Sequence, residues 1–316
     1  FLPNKLNIKI SKKIINFWID DLAKNSFKHD KVEFDVCDTC FDFSTEKKIK
    51  KFKAILTKSE INIYRKHLLS LTQNMLTSNL RIIENSKRDL KILEFYRKSF
   101  IEKKNIEYKD LNKLIDKIKF LGTFNFANLA RLAFVSESFL RSFQLNKIFS
   151  TKRLNVFKNS INTVLTNFIS DNFKLQDKKI TWKEFSNIYG HLRSGTYDIE
   201  SKRYDQSKYF ESKLKINKIK KNIEKFNLKN KEIILINRHL KKLKINFNAG
   251  DFLKIIKENI VQREYSKFIF TKSVSDILEA ILTKASKLNL AREDVAHLEL
   301  KDIALFDNYS NKKKII

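Results

Sequence analysis

The amino-acid sequence predicts a mainly α-helical fold with a small β element near residues 31–36. The chain of 316 residues contains only four glycines and one proline, the residues that sheets need at their turns. Apolar side chains recur every three or four residues over long stretches, which places them on one face of a helix. Because 42% of the residues are apolar, the chain can fill a substantial core, and we expect one compact domain over residues 1–316.

The predicted elements of the N-terminal half begin with a helix late in the span Leu6–Leu22. Val32, Phe34 and Val36 then alternate with charged residues, which is strand periodicity. The sequence TKSE, from Thr57, is typical of a capping box, in which the threonine hydroxyl and the glutamate carboxylate accept hydrogen bonds from free amides at a helix start. Long helices are expected near residues 86–104, 108–120, 125–146 and 152–173.

The predicted elements of the C-terminal half start with a second cap, TWKE from Thr181, which opens a short helix ending at Gly190. The stretch HLRSGTYDIESKRYD, residues 191–205, has little apolar surface and is expected to form a loop ordered by hydrogen bonds. Helices are expected near residues 208–226, 230–243 and 250–284, and a short one near Arg292. Ser273 and Ser275 are candidate caps for a further helix in this region.

The composition argues against several classes of protein. So few glycines are incompatible with loops that cradle phosphate through backbone amides, and the sequence has no Walker, dinucleotide-binding or kinase glycine-rich loop. No charged start precedes an apolar run of membrane-spanning length, so we expect a cytoplasmic chain. Because the first residue is Phe1 rather than methionine, we also expect the chain to be a piece of a longer protein.

The net charge of +29, from 65 basic and 36 acidic residues, suggests nucleic-acid binding as one interpretation. However, lysine, asparagine, isoleucine and phenylalanine dominate together, as in proteins from genomes rich in A and T, and lysines scattered over helix surfaces are ordinarily solvated. No zinc finger, RNA-recognition signature or basic zipper accompanies the charge. Nucleic-acid binding is therefore the weaker interpretation.

The two cysteines, Cys37 and Cys40, form a single C-x-x-C. A structural zinc site needs a second pair or histidines at ligand spacing, and the five histidines supply no such pair. We therefore expect free thiols in a reducing compartment and no metal site.

The first candidate site is the acidic segment from Asp30 to Glu46, which holds six acidic residues and only one basic residue, Lys31. On a strand, Glu33 and Asp35 would share a face with Lys31, because side chains alternate between the two faces. Two carboxylates on one face could hold an ammonium group or a metal ion, or accept a proton. An exposed polar face of an edge strand is an equally good interpretation.

Two further candidates lie downstream. On the predicted helix after Asn125, Glu137 and Arg141 stand one turn apart and can pair, and Arg131 lies nearby. A surface ion pair is the simpler interpretation, whereas a guanidinium in a cleft would suit a carboxylate or phosphoryl group. The other candidate is the polar loop at residues 191–205, whose charged and tyrosine side chains could contact a polar ligand.

Four stretches, in this order, resemble the central region of kinases related to phosphoenolpyruvate synthase. They are HDKVEFDVCDTCFDF from His29, FNFANLARLAF from Phe124, LRSGTYDIESKRYD from Leu192 and REYSKFIFTKSVSDILEAI from Arg263. The third is similar to the family pattern L-R-P-G-T-Y-D-I-x-S-x-R-Y-D, with Ser194 in place of the proline. The resemblance spans residues 29 to about 300, and rifampin phosphotransferases are similar in plan.

The resemblance implies a central helical domain that binds the phosphoryl acceptor. Kinases of this kind also have an ATP-grasp domain, which phosphorylates a histidine with ATP and Mg²⁺, and a swivelling domain that carries this histidine. On this resemblance the chain holds neither domain and would not hydrolyse ATP alone. It looks most like the L-glutamine kinases of capsule phosphoramidate biosynthesis, which phosphorylate the glutamine amide while ATP yields AMP and phosphate. A different small-molecule acceptor is the alternative.

The resemblance also implies roles for individual residues. Glu33 or Asp35 would be the catalytic carboxylate and would polarise the acceptor amide or bind its α-ammonium group. Arg131, Arg141 or Arg203 would hold the α-carboxylate of the acceptor, and Tyr197 and Asp198 would close the loop over it. The other residues expected to bind the substrate are His29, Lys31, Arg131, Arg141, Arg193, Arg203, Tyr204, Asp205 and Arg263.

Overall fold

The computed structural model describes residues 2–206 and 225–307, and within these ranges the protein is mainly α-helical, as predicted. Thirteen α-helices are present in this part of the chain. They are α1 (Ile8–Lys24), α2 (Thr45–Lys48), α3 (Lys58–Thr77), α4 (Asn79–Ile101), α5 (Tyr108–Lys117), α6 (Phe124–Leu145), α7 (Thr151–Asn159), α8 (Val164–Gln176), α9 (Trp182–Tyr189), α10 (Asn230–Lys242), α11 (Ala249–Lys287), α12 (Arg292–Ala296) and α13 (Leu300–Ile303). The predicted helix near residues 208–226 lies almost entirely outside the described residues.

The predicted β element near residues 31–36 is wrong. Ser26–Lys31 forms a 3₁₀ segment and Val32–Val36 a π-helical turn, which the Cys37 amide closes by donating to the Val32 carbonyl at 2.9 Å. A strand needs a neighbouring strand for its backbone groups, and the described residues form none, so this segment bonds within itself. Residues two apart on a helical turn point in different directions, so Glu33 and Asp35 do not share a face.

Both predicted capping boxes are present. The Glu60 amide donates to the Thr57 hydroxyl at 3.2 Å, and the Thr57 amide donates to the Glu60 carboxylate at 2.8 Å. Thr181 and Glu184 repeat this arrangement, with distances of 3.2 Å and 2.7 Å. These signals are contained in four consecutive residues, which is why the sequence predicts them well.

One helix expected from the sequence is divided in the structure. The single helix expected over residues 152–173 is divided into α7 and α8, because Thr163 caps the start of a new helix. Its amide donates to the Thr166 hydroxyl at 2.7 Å. The helix expected near residues 250–284 is present as α11, one continuous helix of 39 residues. Ser273 and Ser275 are buried in its middle, so their predicted capping role is wrong.

The chain divides into two compact units. Unit 1 spans Phe1–Ile83, Asn128–Ile161 and Asn222–Gln262, and unit 2 spans Glu84–Ala127, Asn162–Lys221 and Arg263–Ile316. Three of the boundaries fall within the long helices α4, α6 and α11. The assignment of residues 1–316 to one acceptor-binding domain stays a prediction.

Each unit has its own apolar core. In unit 1, the buried rings of Phe139 and Phe252 pack edge to face with centroids 4.9 Å apart, and a second cluster joins Trp18 of α1 to Phe52 and Tyr64. The core of unit 2 is built from the buried residues Leu90, Leu93, Leu111, Leu114, Phe270 and Ile277. In the described part of the chain, no helix is both long and apolar enough to cross a membrane.

Candidate functional site

The acidic segment predicted as a site lies in unit 1, and its carboxylates are largely used in ion pairs. Five of its six acidic side chains pair with a basic side chain, and Glu33 has no side-chain partner among the described residues. The pairs are Asp30 with His29, Asp35 with Arg141, Asp38 with Lys51, Asp42 with Lys48, and Glu46 with Arg65. The segment is therefore mostly neutralised by its own surroundings.

Asp35 and Arg141 form a partly exposed pair, with 3.1 Å between the Asp35 Oδ1 and Arg141 Nη1 atoms. The Arg141 guanidinium also lies over the Phe34 ring, 4.2 Å from its centroid. The expected pairing of Glu137 with Arg141 is weak at 3.5 Å, because Glu137 accepts from Lys158 at 2.8 Å. An exposed pair of this kind contributes about 0–1 kcal/mol to stability.

The other predicted residues of unit 1 have structural or surface positions. Arg131 donates to the Thr39 carbonyl at 3.0 Å, and burial lowers the pKa of its guanidinium. The side chain of His29 is 71% exposed, and Lys31 is also exposed. The catalytic role assigned to Glu33 or Asp35, and the binding roles of these residues, stay predictions.

The loop at residues 191–205 lies in unit 2 and is ordered by hydrogen bonds, as predicted. It folds back on itself so that the Tyr204 amide donates to the Leu192 carbonyl at 2.9 Å, beside an isolated antiparallel bridge between Arg193 and Arg203. At its tip the Asp198 carboxylate accepts from the Ser201 hydroxyl at 2.7 Å. A Cβ atom at Gly195 would lie 2.7 Å from the Asp198 Cβ, so this turn requires glycine.

Two arginines of the loop hold it against α11. The buried Arg193 donates to the Ser275 hydroxyl at 3.1 Å and to the Ser201 carbonyl at 2.6 Å, and it pairs with Glu279. Arg203 binds both carboxylate oxygens of Asp205, at 3.0 and 2.8 Å.

Arg203 also binds Asp276 of α11, at 2.8 Å. Most of the donors of both guanidinium groups are therefore occupied within the protein. The substrate-binding roles assigned to Arg193 and Arg203 stay predictions.

A cavity of about 340 Å³ lies in unit 2 between α8, the loop and α11. Apolar side chains form much of its wall, including Leu165 and Phe168 of α8 and Phe268 of α11. Three residues predicted to bind substrate are in the lining, namely Arg193, Tyr204 and Arg263, whereas Tyr197, Asp198, Arg203 and Asp205 are not among its lining residues.

His191 is the most unusual residue of the cavity lining. It is only 3% exposed, its ring meets the Phe268 ring edge to face at 4.7 Å, and neither ring nitrogen has a hydrogen-bond partner of normal geometry in the described structure. An unpaired buried polar group costs about 1–3 kcal/mol. Both nitrogens are also sealed from solvent, so they do not face the open space of the cavity.

The imidazole of His191 is uncharged at neutral pH. Burial lowers its pKa to about 3, and the nearby positive charges of Lys272, Arg203 and Arg97 act in the same direction, while the Ile188 carbonyl opposes them. A neutral imidazole offers one hydrogen-bond donor and one acceptor.

The α11 wall of the cavity carries both signs of charge. Arg263 and Lys267 are one turn apart and project from the same face of the helix, and Glu264 is the only acidic residue of the described lining. The Arg263 guanidinium lies 5.9 Å from the centre of the Phe126 ring. Such a wall can bind a carboxylate through the two cations and an ammonium group through Glu264.

Sequence reasoning missed His191, Glu264 and Lys267 as site residues. The signal was present, because His191 opens the polar loop, and Glu264 and Lys267 belong to the motif that starts at Arg263. Their convergence depends on α8, the loop and α11 meeting in space, which local patterns do not reveal.

Comparison with known proteins gives no match: no family model, no curated protein and no solved structure matches this chain.

Proposed function

We propose that the chain binds the phosphoryl acceptor of an ATP-dependent, phosphohistidine-mediated kinase, and that this acceptor is L-glutamine. Two lines of reasoning support the proposal. The first is the sequence resemblance to kinases related to phosphoenolpyruvate synthase. The second is that two of the motifs behind this resemblance, the loop from Leu192 and the segment from Arg263, both contribute to the cavity in unit 2.

The observation that carries the proposal is the α11 wall of this cavity. An α-amino acid is a zwitterion, and Arg263, Glu264 and Lys267 offer complementary charges for its carboxylate and its ammonium group. The cavity volume of about 340 Å³ is near the lower end of the roughly 300–1,000 Å³ common for small-molecule sites. The remaining wall, which is largely apolar, suits the aliphatic part of such a ligand.

In the proposed reaction, the amide nitrogen of glutamine attacks the phosphorus of a phosphohistidine. A nitrogen–phosphorus bond forms, the bond from phosphorus to the histidine breaks, and the amide loses one proton to a base. An amide nitrogen is a poor nucleophile, so the site must hold it in line with the phosphorus, and positioning alone can supply up to about 7–11 kcal/mol. The phosphohistidine, ATP and Mg²⁺ would belong to other domains of the complete enzyme.

Isothermal titration calorimetry of the chain with L-glutamine tests the proposal, with L-glutamate and L-asparagine as comparison ligands. We expect selective binding of L-glutamine. Lys267→Ala should weaken the affinity for L-glutamine by about fivefold, because the substitution removes one exposed charge interaction. Lys287→Ala is the matched control, since Lys287 is an exposed lysine on the same helix but outside the cavity lining.

Two outcomes would contradict this proposal. The absence of binding heat with all three amino acids would argue against an amino-acid acceptor. Equal loss of affinity in both lysine variants would argue against binding at the α11 wall. Selective binding of another amino acid would instead support the alternative, the same scaffold with a different acceptor.

A further inference from the structure

Helix α1 carries a stripe of exposed apolar side chains. Ile8, Ile15 and Ile19 are 69%, 41% and 59% exposed, whereas Ile14 and Trp18 of the same helix are buried in the core of unit 1. Because each residue of an α-helix advances by about 100° around the axis, the three exposed isoleucines lie within about 40° of one another. They form one stripe about 16 Å long, which we call the isoleucine stripe.

The charged residues around the isoleucine stripe are mostly lysines. The exposed charged residues of α1 are Lys9, Lys12, Lys13, Lys24 and Asp20. Lys13 is neutralised by Glu60 at 2.8 Å. Lys12 follows Ile8 by one helical turn, so its side chain stands beside the stripe. The exposed side of α1 therefore combines apolar side chains with an excess of positive charge.

Size and charge decide what can cover this stripe. A second copy of the chain would bring the lysines of two helices together on molecules of net charge +29, so repulsion opposes self-association. A specific protein interface buries roughly 800 Å² and roughly 20–30 residues on each side, far more than one stripe of a single helix offers. An anionic lipid bilayer needs no such area, because shallow insertion of a few apolar side chains and attraction of lysines to lipid phosphates add together.

We propose that α1 binds the surface of an anionic lipid bilayer, with Ile8, Ile15 and Ile19 inserted at the boundary between headgroups and acyl chains, and Lys9 and Lys12 beside the lipid phosphates. A helix of this kind lies in the plane of the interface and does not cross the membrane. The binding is reversible and needs both parts, because a few aliphatic side chains alone bind a bilayer only weakly. This inference is independent of the proposed function, which concerns the cavity in unit 2.

Co-sedimentation with lipid vesicles at low salt tests the apolar part of the proposal. We expect the wild-type protein to bind vesicles of phosphatidylcholine and phosphatidylglycerol in equal amounts at least about tenfold more tightly than vesicles of phosphatidylcholine alone. Ile15→Gln with Ile19→Gln should weaken binding to the mixed vesicles by about tenfold, because both side chains lose their apolar insertion. The matched control is Leu80→Gln with Leu145→Gln, which changes two exposed leucines outside the stripe at the same net charge.

A second pair of variants tests the charged part. Lys9→Gln with Lys12→Gln should weaken binding to the mixed vesicles by about fivefold for each lysine. Lys183→Gln with Lys287→Gln removes the same charge from exposed positions on α9 and α11, and should have an effect of less than about twofold. Thermal unfolding of every variant without lipid checks that it is folded.

Three results would overturn the proposal. If the wild-type protein does not bind the mixed vesicles, the bilayer is not the partner, and the stripe would have to be covered by another protein. If the isoleucine variant binds as tightly as the wild type, the stripe is not inserted. Equal losses in the two lysine variants would mean that the overall charge of the protein, and not α1, attracts it to the lipid.

Discussion

At the level of single residues, His191 links the proposed binding site to the stability of the protein. Its burial holds the pKa near 3 in the folded protein, whereas an exposed histidine in the unfolded chain titrates near pH 6.5. Below that pH the unfolded chain binds a proton that the folded protein does not. The contribution of His191 to the free energy of unfolding is therefore fully favourable above about pH 6.5 and is lost as the pH falls towards 3.

This difference predicts a pH dependence that a single substitution removes. Between pH 7.5 and pH 5.0, the free energy of unfolding of the wild-type protein should fall by about 2 kcal/mol more than that of His191→Phe. Urea denaturation of both proteins at the two pH values measures this, and all other titrating groups cancel in the comparison. Parallel pH dependence in the two proteins would show that the imidazole is accessible to protons in the folded state.

Residue identity alone did not distinguish binding groups from structural groups. Arg193 and Arg203 looked like ligand-binding residues because guanidinium groups suit carboxylates, yet most of their donors are occupied by Ser201, Ser275, Asp205 and acidic residues of α11. An arginine in a polar loop fits the same sequence pattern whether it binds a ligand or neighbouring residues of the protein. The difference lies in which acceptors the fold brings within reach, and those on α11 are 73 to 86 residues away in the sequence.

At the level of elements, the loop at residues 191–205 depends on α11 for its position. Arg193→Lys keeps the positive charge beside Glu279 but cannot reproduce the forked donation to Ser275 and Ser201. Because the side chain of Arg193 is fully buried, we expect the free energy of unfolding to fall by about 1–3 kcal/mol. Urea denaturation measures the change.

A second arginine provides the control for this prediction. Arg65 pairs with Glu46 at the surface, where both side chains are about half exposed. Arg65→Lys should change the stability by less than about 0.5 kcal/mol. If Arg193→Lys and Arg65→Lys lower the free energy of unfolding by the same amount, the loop is not held by the hydrogen bonds of Arg193.

The sequence predicts elements best where their signal is local. The boxes at Thr57 and Thr181 each need only four consecutive residues, and both were correct. Alternation over Val32–Val36 covers only five residues, too few to separate a strand from a helical turn when no partner strand is known. The cavity combines segments that begin at residues 164, 189 and 263, so its composition depends on packing that periodicity does not encode.

At the level of the whole molecule, the dominant property is the excess of positive charge. With 65 basic and 36 acidic residues, like charges repel one another more in the compact state than in the unfolded chain. Raising NaCl from about 10 mM to 100 mM shortens the screening length from about 30 Å to 10 Å. We expect the melting temperature to rise over this range, measured by circular dichroism; a constant or falling value would mean that the paired charges offset the repulsion.

The salt response also bears on nucleic-acid binding, the alternative that the charge suggests. Affinity for nucleic acid falls steeply with salt, because phosphate contacts release counterions. Binding of a small zwitterion should depend on salt only weakly.

The continuous helix α11 has a consequence for sequence divergence. From Arg263 onwards it carries, in order, the charged wall of the cavity and the groups that hold the loop, Ser275, Asp276 and Glu279. Each residue of an α-helix advances by about 100° around the axis. An insertion or deletion of one residue between Phe268 and Ser275 would rotate the charged wall of the cavity relative to the side chains that hold the loop. Proteins that share this site should therefore vary here by substitution while keeping the length of the helix fixed.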